Sequence, residues 1–171
     1  MKAIFKILDK PLSLVVLFVL FVLFNFLLNR FMPTDLALDL RFAYSGSEGI
    51  RVIKSMSASI RERYLMGIWV LDTPYMLVYL LLLSGLISKI WKQKKFLVLP
   101  FAIVCLDFFE NLMVSGLLLS YPSERLILGY LASFFTTSKW LSVGICVVFI
   151  LAGLIRNYIL KNERDLHLKR K

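Results

Sequence analysis

The sequence predicts an all-α fold: a polytopic bundle of four transmembrane helices with an external amphipathic helix. Of the 171 residues, 59% are hydrophobic, more than the roughly 45–50% that is usual in soluble domains. Four stretches stay apolar over about 20 residues, the length that a helix needs to cross the hydrocarbon core of a bilayer. The longest polar stretch has about 35 residues, too few for an independent soluble core. We therefore expect one integral membrane domain over residues 1–171.

The first span is expected at about residues 11–28. It opens with Pro11, whose missing N–H costs nothing in the first turn of a helix. Its apolar run is longer than that of a signal peptide, and residues 29–32 hold no small-residue cleavage site, so we expect it to stay attached as an anchor. The other spans are expected at about residues 67–88, 96–120 and 127–155, followed by a tail over residues 156–171.

Basic side chains beside the spans predict the orientation, because cytoplasmic flanks of membrane helices carry an excess of Lys and Arg. Residues 2–10, 89–95 and 156–171 are rich in these side chains. An even number of spans places all three flanks on one side, so we expect both termini in the cytoplasm and the protein in a bacterial inner membrane. The net charge of +10 then reflects contacts with anionic lipid headgroups and does not indicate binding to nucleic acid.

The segment between the first two spans, residues 29–66, is expected outside the membrane. Ser45 and Glu48 have the spacing of a capping box, which marks the start of a helix. Beyond them, apolar side chains recur at helical spacing with basic side chains on the other side. This pattern predicts an amphipathic helix over residues 46–64, which is either an interfacial connector or a functional lid.

Four ionisable side chains interrupt the apolar spans and are the strongest sign of a functional site: Asp72, Asp107, Glu110 and Lys139. Each costs roughly 2.5–3.5 kcal/mol at the centre of a membrane helix, so an unpaired set would cost on the order of 10 kcal/mol. Such residues almost always face the interior of a bundle. Helical phase agrees, because Glu110 and Asn111 follow Asp107 by three and four positions and so share its face. Tyr75 likewise shares a face with Asp72. We expect these groups to meet in the outer half and the middle of the bilayer.

Three carboxylates and one ammonium leave a formal charge of −2, which a low-dielectric site does not hold. Either carboxyl groups keep their protons, or positive charge enters from Arg61, Arg63, a metal ion or a cationic ligand. Asp72 lies near the outer end of its span, so hydration by interfacial water is an alternative for that carboxylate.

We interpret this set first as an outward-facing intramembrane pocket of a non-enzymatic protein, which binds a small or lipidic ligand or docks a membrane partner. The expected contacts are Asp72, Tyr75, Asp107, Glu110, Asn111 and Lys139. One alternative is a membrane enzyme that uses the carboxyl groups for acid–base chemistry on a lipid. Another is an accessory subunit or a homo-oligomer whose buried charges only specify helix packing.

Other chemistries have no support in the sequence. It holds no glycine-rich phosphate loop, no H-E-x-x-H motif and no G-x-S-x-G motif. Cys105 and Cys146 fall in predicted spans and form no C-x-x-C pair, and the single histidine, His167, lies in the tail. We expect no cofactor and no bound metal.

Several short motifs resemble a group of small bacterial four-span membrane proteins over roughly residues 40–150: Arg63-Tyr64, Asp72-Thr73-Pro74-Tyr75, Asp107-Phe108-Phe109-Glu110-Asn111 and Lys139-Trp140. This resemblance implies the fold and the topology, and it implies no activity. A weaker likeness, in span count and in an acid near a proline at Asp72, is to the EXPERA group of sterol isomerases and sigma-2-like receptors, whose membrane carboxylates engage amine ligands. The Asp-x-x-Glu-Asn and Lys elements are foreign to that group, so no catalytic role is carried over.

Overall fold

A computed structural model describes residue 8 and residues 10–169, with side chains for all of these except Lys94 and residues 162–169. Over this part of the chain the structure is 86% helical and holds no strand, which confirms the all-α class. The six α-helices are α1 (Pro11–Phe31), α2 (Gly46–Ser55), α3 (Ala58–Gly67), α4 (Thr73–Trp91), α5 (Val98–Ser120) and α6 (Leu126–Lys169). A π-helical turn, Ile68–Asp72, joins α3 to α4.

Four helical stretches are long and apolar enough to cross a membrane: Pro11–Phe31, Ala58–Trp91, Lys95–Ser120 and Leu126–Lys161. The protein is therefore an integral membrane protein with four spans, as the hydropathy pattern predicts. The last helix is longer than expected, because the charged residues after 155 continue it as far as Lys169. The basic residues at positions 2, 6, 170 and 171, on which part of the orientation prediction rests, lie outside the described residues.

The amphipathic segment forms two helices where the sequence pattern predicts one. Its expected start is confirmed, since the Ser45 hydroxyl accepts from the Glu48 N–H at 3.2 Å and the Glu48 carboxylate accepts from the Ser45 N–H at 3.4 Å. The helix then ends at Ser55 and a new one begins at Ala58. Ser57 accounts for the break, because its hydroxyl caps α3 by accepting from the Ile60 N–H.

Residues 37–45 form a strap that folds inward along α6, although the sequence places this segment on the outer surface. Three hydrogen bonds attach the strap to one face of α6: Tyr44 N–H to Ser133 Oγ at 3.1 Å, Thr137 Oγ to Phe42 O at 2.7 Å, and Trp140 Nε1 to Asp39 O at 2.9 Å. Trp140 follows Leu126, the first residue of α6, by 14 positions, which is about 21 Å along a helix. The strap therefore reaches about 21 Å along the bundle from the end at which α6 begins.

Glycine permits the contact between α2 and α6. A Cβ atom on Gly129 would lie 2.7 Å from the carbonyl oxygen of Gly46, and a Cβ atom on Gly46 would lie 2.8 Å from the carbonyl oxygen of Leu126. These neighbours are backbone atoms that cannot turn aside. The two helices therefore touch directly where the strap ends.

Replacing Gly129 with Ala should consequently destabilise the protein by about 1–3 kcal/mol, the usual cost of overpacking a tight contact. Thermal denaturation of the detergent-solubilised protein, followed by circular dichroism, measures the effect. Gly144→Ala is the matched control on the same helix, because a Cβ atom there meets nothing within 4 Å. The control should be neutral or slightly stabilising, since Ala favours helix over Gly by about 1 kcal/mol. Equal effects of the two substitutions would contradict the close contact.

The hydrophobic core lies in two layers, above and below the charged residues. The outer layer joins the strap, α2 and α3 to the outer end of α5 around residues such as Leu38, Tyr64 and Val114. The inner layer joins α4, α5 and α6 around residues such as Ile87 and Ile103. Helix α1 has no buried residue and leans on α4.

Candidate functional site

An ion cluster lies at the middle of the bundle, where α5 faces α6. The Lys139 ammonium is 2.9 Å from Asp107 Oδ1 and 2.5 Å from Glu110 Oε2. Lys139, Asp107 and Glu110 are 8%, 5% and 0% exposed, so all three face the interior as expected. The lysine thus contacts both acids of the Asp-x-x-Glu motif. Its contact with Glu110 is an ion pair that falls outside hydrogen-bond geometry.

Asp107 receives two donors. Besides Lys139 at Oδ1, the Tyr79 hydroxyl donates to Oδ2 at 2.7 Å. One donor on each oxygen satisfies the carboxylate in its ionised form. Asp107 is therefore the direct counter-ion of Lys139.

Glu110 has a different environment. Its Oε1 lies 2.5 Å from the hydroxyl oxygen of Thr136, which in turn lies 2.9 Å from the carbonyl oxygen of Ala132 one helical turn earlier. A threonine hydroxyl has a single proton, and a carbonyl and an ionised carboxylate are both acceptors. The proton of Thr136 can therefore form a full hydrogen bond to only one of these two acceptors. A proton on Glu110 would complete the second hydrogen bond.

Asp72 and Asn111 meet as expected, at a distance from the lysine. The Asn111 amide donates to Asp72 Oδ2 at 2.6 Å and lies 3.6 Å from Met76 Sδ. Asp72 is half-buried, and it acts on Asp107 through space without contacting Lys139. Its hydrogen-bond partner is thus a neutral amide, which brings no positive charge to this carboxyl group.

Tyr75 points towards α1. The Asn25 amide donates to its hydroxyl at 2.8 Å, and its ring lies edge-on to Tyr79 with centroids 5.3 Å apart. Tyr75 therefore joins the site through the tyrosine that contacts Asp107. Its direct contact with a ligand remains a prediction.

Asp39 is a fourth acid that the sequence pattern does not place in the site. Its carboxylate accepts from the Tyr64 hydroxyl at 2.7 Å, and the same hydroxyl accepts from the Leu38 N–H at 2.9 Å. The strap carries Asp39 close enough to act electrostatically on Glu110 and Lys139. One local signal was available, because the residues around Asp39, at 37–44, are mostly apolar although they lie between two spans.

Neither arginine suggested by the sequence supplies positive charge to the cluster. The Arg61 guanidinium donates to the Met56 carbonyl oxygen and lies 3.8 Å from the centroid of the Tyr121 ring, at the outer end of the bundle. Arg63 is exposed. Among the described residues, four carboxyl groups therefore surround a single ammonium.

Tyr44 closes the cluster from the strap. Its hydroxyl is buried without a partner in hydrogen-bond geometry. Burial raises the pKa of this phenol, and Glu110 raises it further, whereas the nearby Thr136 hydroxyl lowers it. The phenol is therefore neutral and free to donate to an additional acceptor.

The site is closed in this structure. The charged side chains at its centre are almost fully buried. A small crevice beside Ile50 and Tyr121 and a lipid-facing groove beside Trp140 and Gly144 do not reach them. No group of three metal-ligating side chains occurs in the part of the chain that the structure describes. The expected outward opening therefore remains a prediction.

Comparison with family models, curated proteins and solved structures finds no match to this chain. The resemblance to small bacterial four-span proteins accordingly remains a prediction. Its motif residues nevertheless occupy the ion cluster and its surroundings. The function proposed for this protein therefore rests on the geometry of that cluster.

Proposed function

We propose that this membrane protein is a non-enzymatic binding protein that takes up a small or lipidic cation in its intramembrane acidic cluster. One observation carries the proposal: two carboxyl groups, Asp107 and Glu110, contact the single ammonium of Lys139, and two more, Asp39 and Asp72, act on it through space. A buried site with surplus acid is stabilised by additional positive charge. The ammonium group of an organic ligand is the chemistry that fits.

Two of the four acids accept a hydrogen bond from a neutral donor. The Asn111 amide holds Asp72 and the Tyr64 phenol holds Asp39, and neither donor offsets a negative charge. A cation between α4 and the strap would pair with both acids. This surplus distinguishes a binding site from a simple ion pair, which needs one acid for one base.

Access from the outer side is part of the proposal. Below the cluster, the packed residues between α4, α5 and α6 are mostly apolar, among them Ile87, Ile103 and Cys146, with the buried hydroxyls of Ser84 and Ser88 on α4. The basic residues at 89–95 and at 156–161 lie beyond this apolar layer. With those flanks in the cytoplasm of a bacterial inner membrane, the cluster would receive its ligand from the periplasmic side or from the outer leaflet.

The test uses dodecylamine as the lipidic cation, butylamine as the soluble cation and dodecanol as the neutral chain. Isothermal titration at pH 7 into protein-loaded nanodiscs, with empty nanodiscs subtracted, should show saturable 1:1 binding of an amine and none of the alcohol. Binding of butylamine would identify a soluble ligand, and binding of dodecylamine alone a lipidic one. Equal binding of dodecanol, or no binding of either amine, would contradict the proposal.

Asp72→Asn should weaken amine binding at least tenfold, because it removes an uncompensated charge while keeping the shape of the side chain. Glu124→Gln is the matched control, since Glu124 pairs with Lys54 at the exposed outer end. The control should bind the amine with unchanged affinity. Equal affinity in the two variants would place the cation elsewhere.

The second candidate is a structural role in which the cluster only specifies helix packing. It is favoured by the closed geometry, since neither principal cavity reaches Asp107 or Glu110. This role predicts no amine binding at all. The titration therefore separates the two candidates.

A further inference from the structure

We infer that the cation enters in exchange for a proton held by Glu110, so that each binding event releases one proton on the outer side. This inference rests on the proposed function and adds its coupling to pH. It rests on the number of protons available for the hydrogen bonds of Thr136 and on the charges that face Glu110.

The hydrogen bonds of Thr136 involve two acceptors and a single hydroxyl proton. Thr136 is fully buried, and its hydroxyl oxygen contacts both Glu110 Oε1 and the Ala132 carbonyl oxygen. Back-bonding of a threonine hydroxyl to the carbonyl four residues earlier is a common arrangement in helices. With the proton of Thr136 in that bond, Glu110 completes the chain by donating its own proton to Thr136.

The charged and titratable groups around Glu110 favour the same state. They are Asp107 on its own helix, Lys139 on α6, Asp72 and Tyr79 on α4 and its π-helical turn, Tyr64 on α3, and Asp39 and Tyr44 on the strap. The single cation among them, Lys139, is already paired with Asp107 through a charged hydrogen bond. A second full negative charge on Glu110 would have to share this ammonium, which lies 2.5 Å from Glu110 Oε2 but donates its hydrogen bond to Asp107.

The exchange conserves charge. An arriving ammonium brings one positive charge, and the O–H bond of Glu110 breaks and gives its proton to outer water. The ammonium pairs with Asp39 and Asp72 and offsets the negative charge of Asp39, which faces Glu110. The new carboxylate pairs with Lys139, and Thr136 turns its hydroxyl from the Ala132 carbonyl to Glu110. The proton leaves outward because the layer below the cluster is apolar. The net charge of the site is the same before and after.

Titration of dodecylamine into protein in dodecyl maltoside, in buffers of different ionisation enthalpy, counts the released protons. The wild type should release close to one proton per bound amine, and its affinity should rise about tenfold per pH unit. Glu110→Gln, a neutral mimic of the protonated acid, should bind more weakly, with no release and no such pH dependence. Glu124→Gln should behave as the wild type.

Infrared spectroscopy locates the proton without any ligand, because dodecyl maltoside has no ester carbonyl. The carbonyl band of a protonated carboxylic acid should be present in the wild type and in Glu124→Gln, be lost in Glu110→Gln, and be bleached by saturating amine. A wild type without the band, or a band that persists in Glu110→Gln, overturns the inference. Amine binding without proton release overturns it while the proposed function stands, whereas absence of binding removes both.

Discussion

Replacing Lys139 with Met is expected to destabilise the protein by about 3–5 kcal/mol, the cost of leaving a buried charge without its partner. The substitution removes the Lys139 donor from Asp107 and leaves the Tyr79 hydroxyl as the remaining donor to this buried carboxyl group. Unfolding by sodium dodecyl sulfate in mixed micelles, followed by circular dichroism, measures the free energy of unfolding. Lys54→Met is the control, because its pair with Glu124 is exposed and exposed pairs contribute less than about 1 kcal/mol.

A second substitution that restores the stability lost in Lys139→Met shows which acid, Asp107 or Glu110, carries the negative charge. Asp107→Asn should restore most of the lost stability, because it removes the orphaned charge. Glu110→Gln should restore little, since Glu110 already holds a proton next to Thr136. Equal rescue by the two substitutions would show that the negative charge is shared. A stable Lys139→Met/Asp107→Asn variant that performs the protein's cellular role normally would favour the packing candidate.

The helices are predictable from sequence because their signals are local. Apolar runs of membrane length, Pro11 in a first turn and the Ser45 capping box each depend on neighbouring residues. The end of α6 is not predictable from the same signals. Hydropathy falls after residue 155, but the Lys, Arg, Glu and Leu residues there favour helix, and the helix continues to Lys169.

The core of the site is predictable for an energetic reason. An ionisable residue within a span must find a partner, and helical spacing places Asp107 and Glu110 on one face opposite Lys139. The direct hydrogen bond between Asn111 and Asp72 follows from the same logic. Ligand contact by these residues and by Tyr75 remains a prediction.

The strap could not be predicted, because it depends on contacts between distant parts of the chain. The hydrogen bonds of Asp39 and Tyr44 reach α6 some 90–100 positions later. A polar loop that enters the bundle has the same local composition as one on the surface. The contact of Thr136 with Glu110 likewise depends on the register between α5 and α6.

Replacing Tyr64 with Phe is expected to release the strap. The Tyr64 hydroxyl accepts from the Leu38 N–H and donates to Asp39, and both Tyr64 and Leu38 are 0% exposed. Removing the hydroxyl leaves a buried N–H and a carboxylate oxygen without a partner, at a cost of about 3 kcal/mol. Hydrogen exchange followed by mass spectrometry should show faster exchange in peptides covering residues 37–45, and the unfolding transition should shift to lower denaturant.

Tyr158→Phe is the matched control, because that side chain is 75% exposed and the same atom is removed. Its effect should stay within about 0.5 kcal/mol. If Tyr64→Phe leaves both exchange and stability unchanged, this hydroxyl does not hold the strap.

Faster exchange confined to the strap should also change the rate at which an amine reaches the cluster. Because Tyr44 and Asp39 lie against the cluster, amine association should then be faster in Tyr64→Phe than in the wild type, even where the loss of the Asp39 contact lowers the affinity.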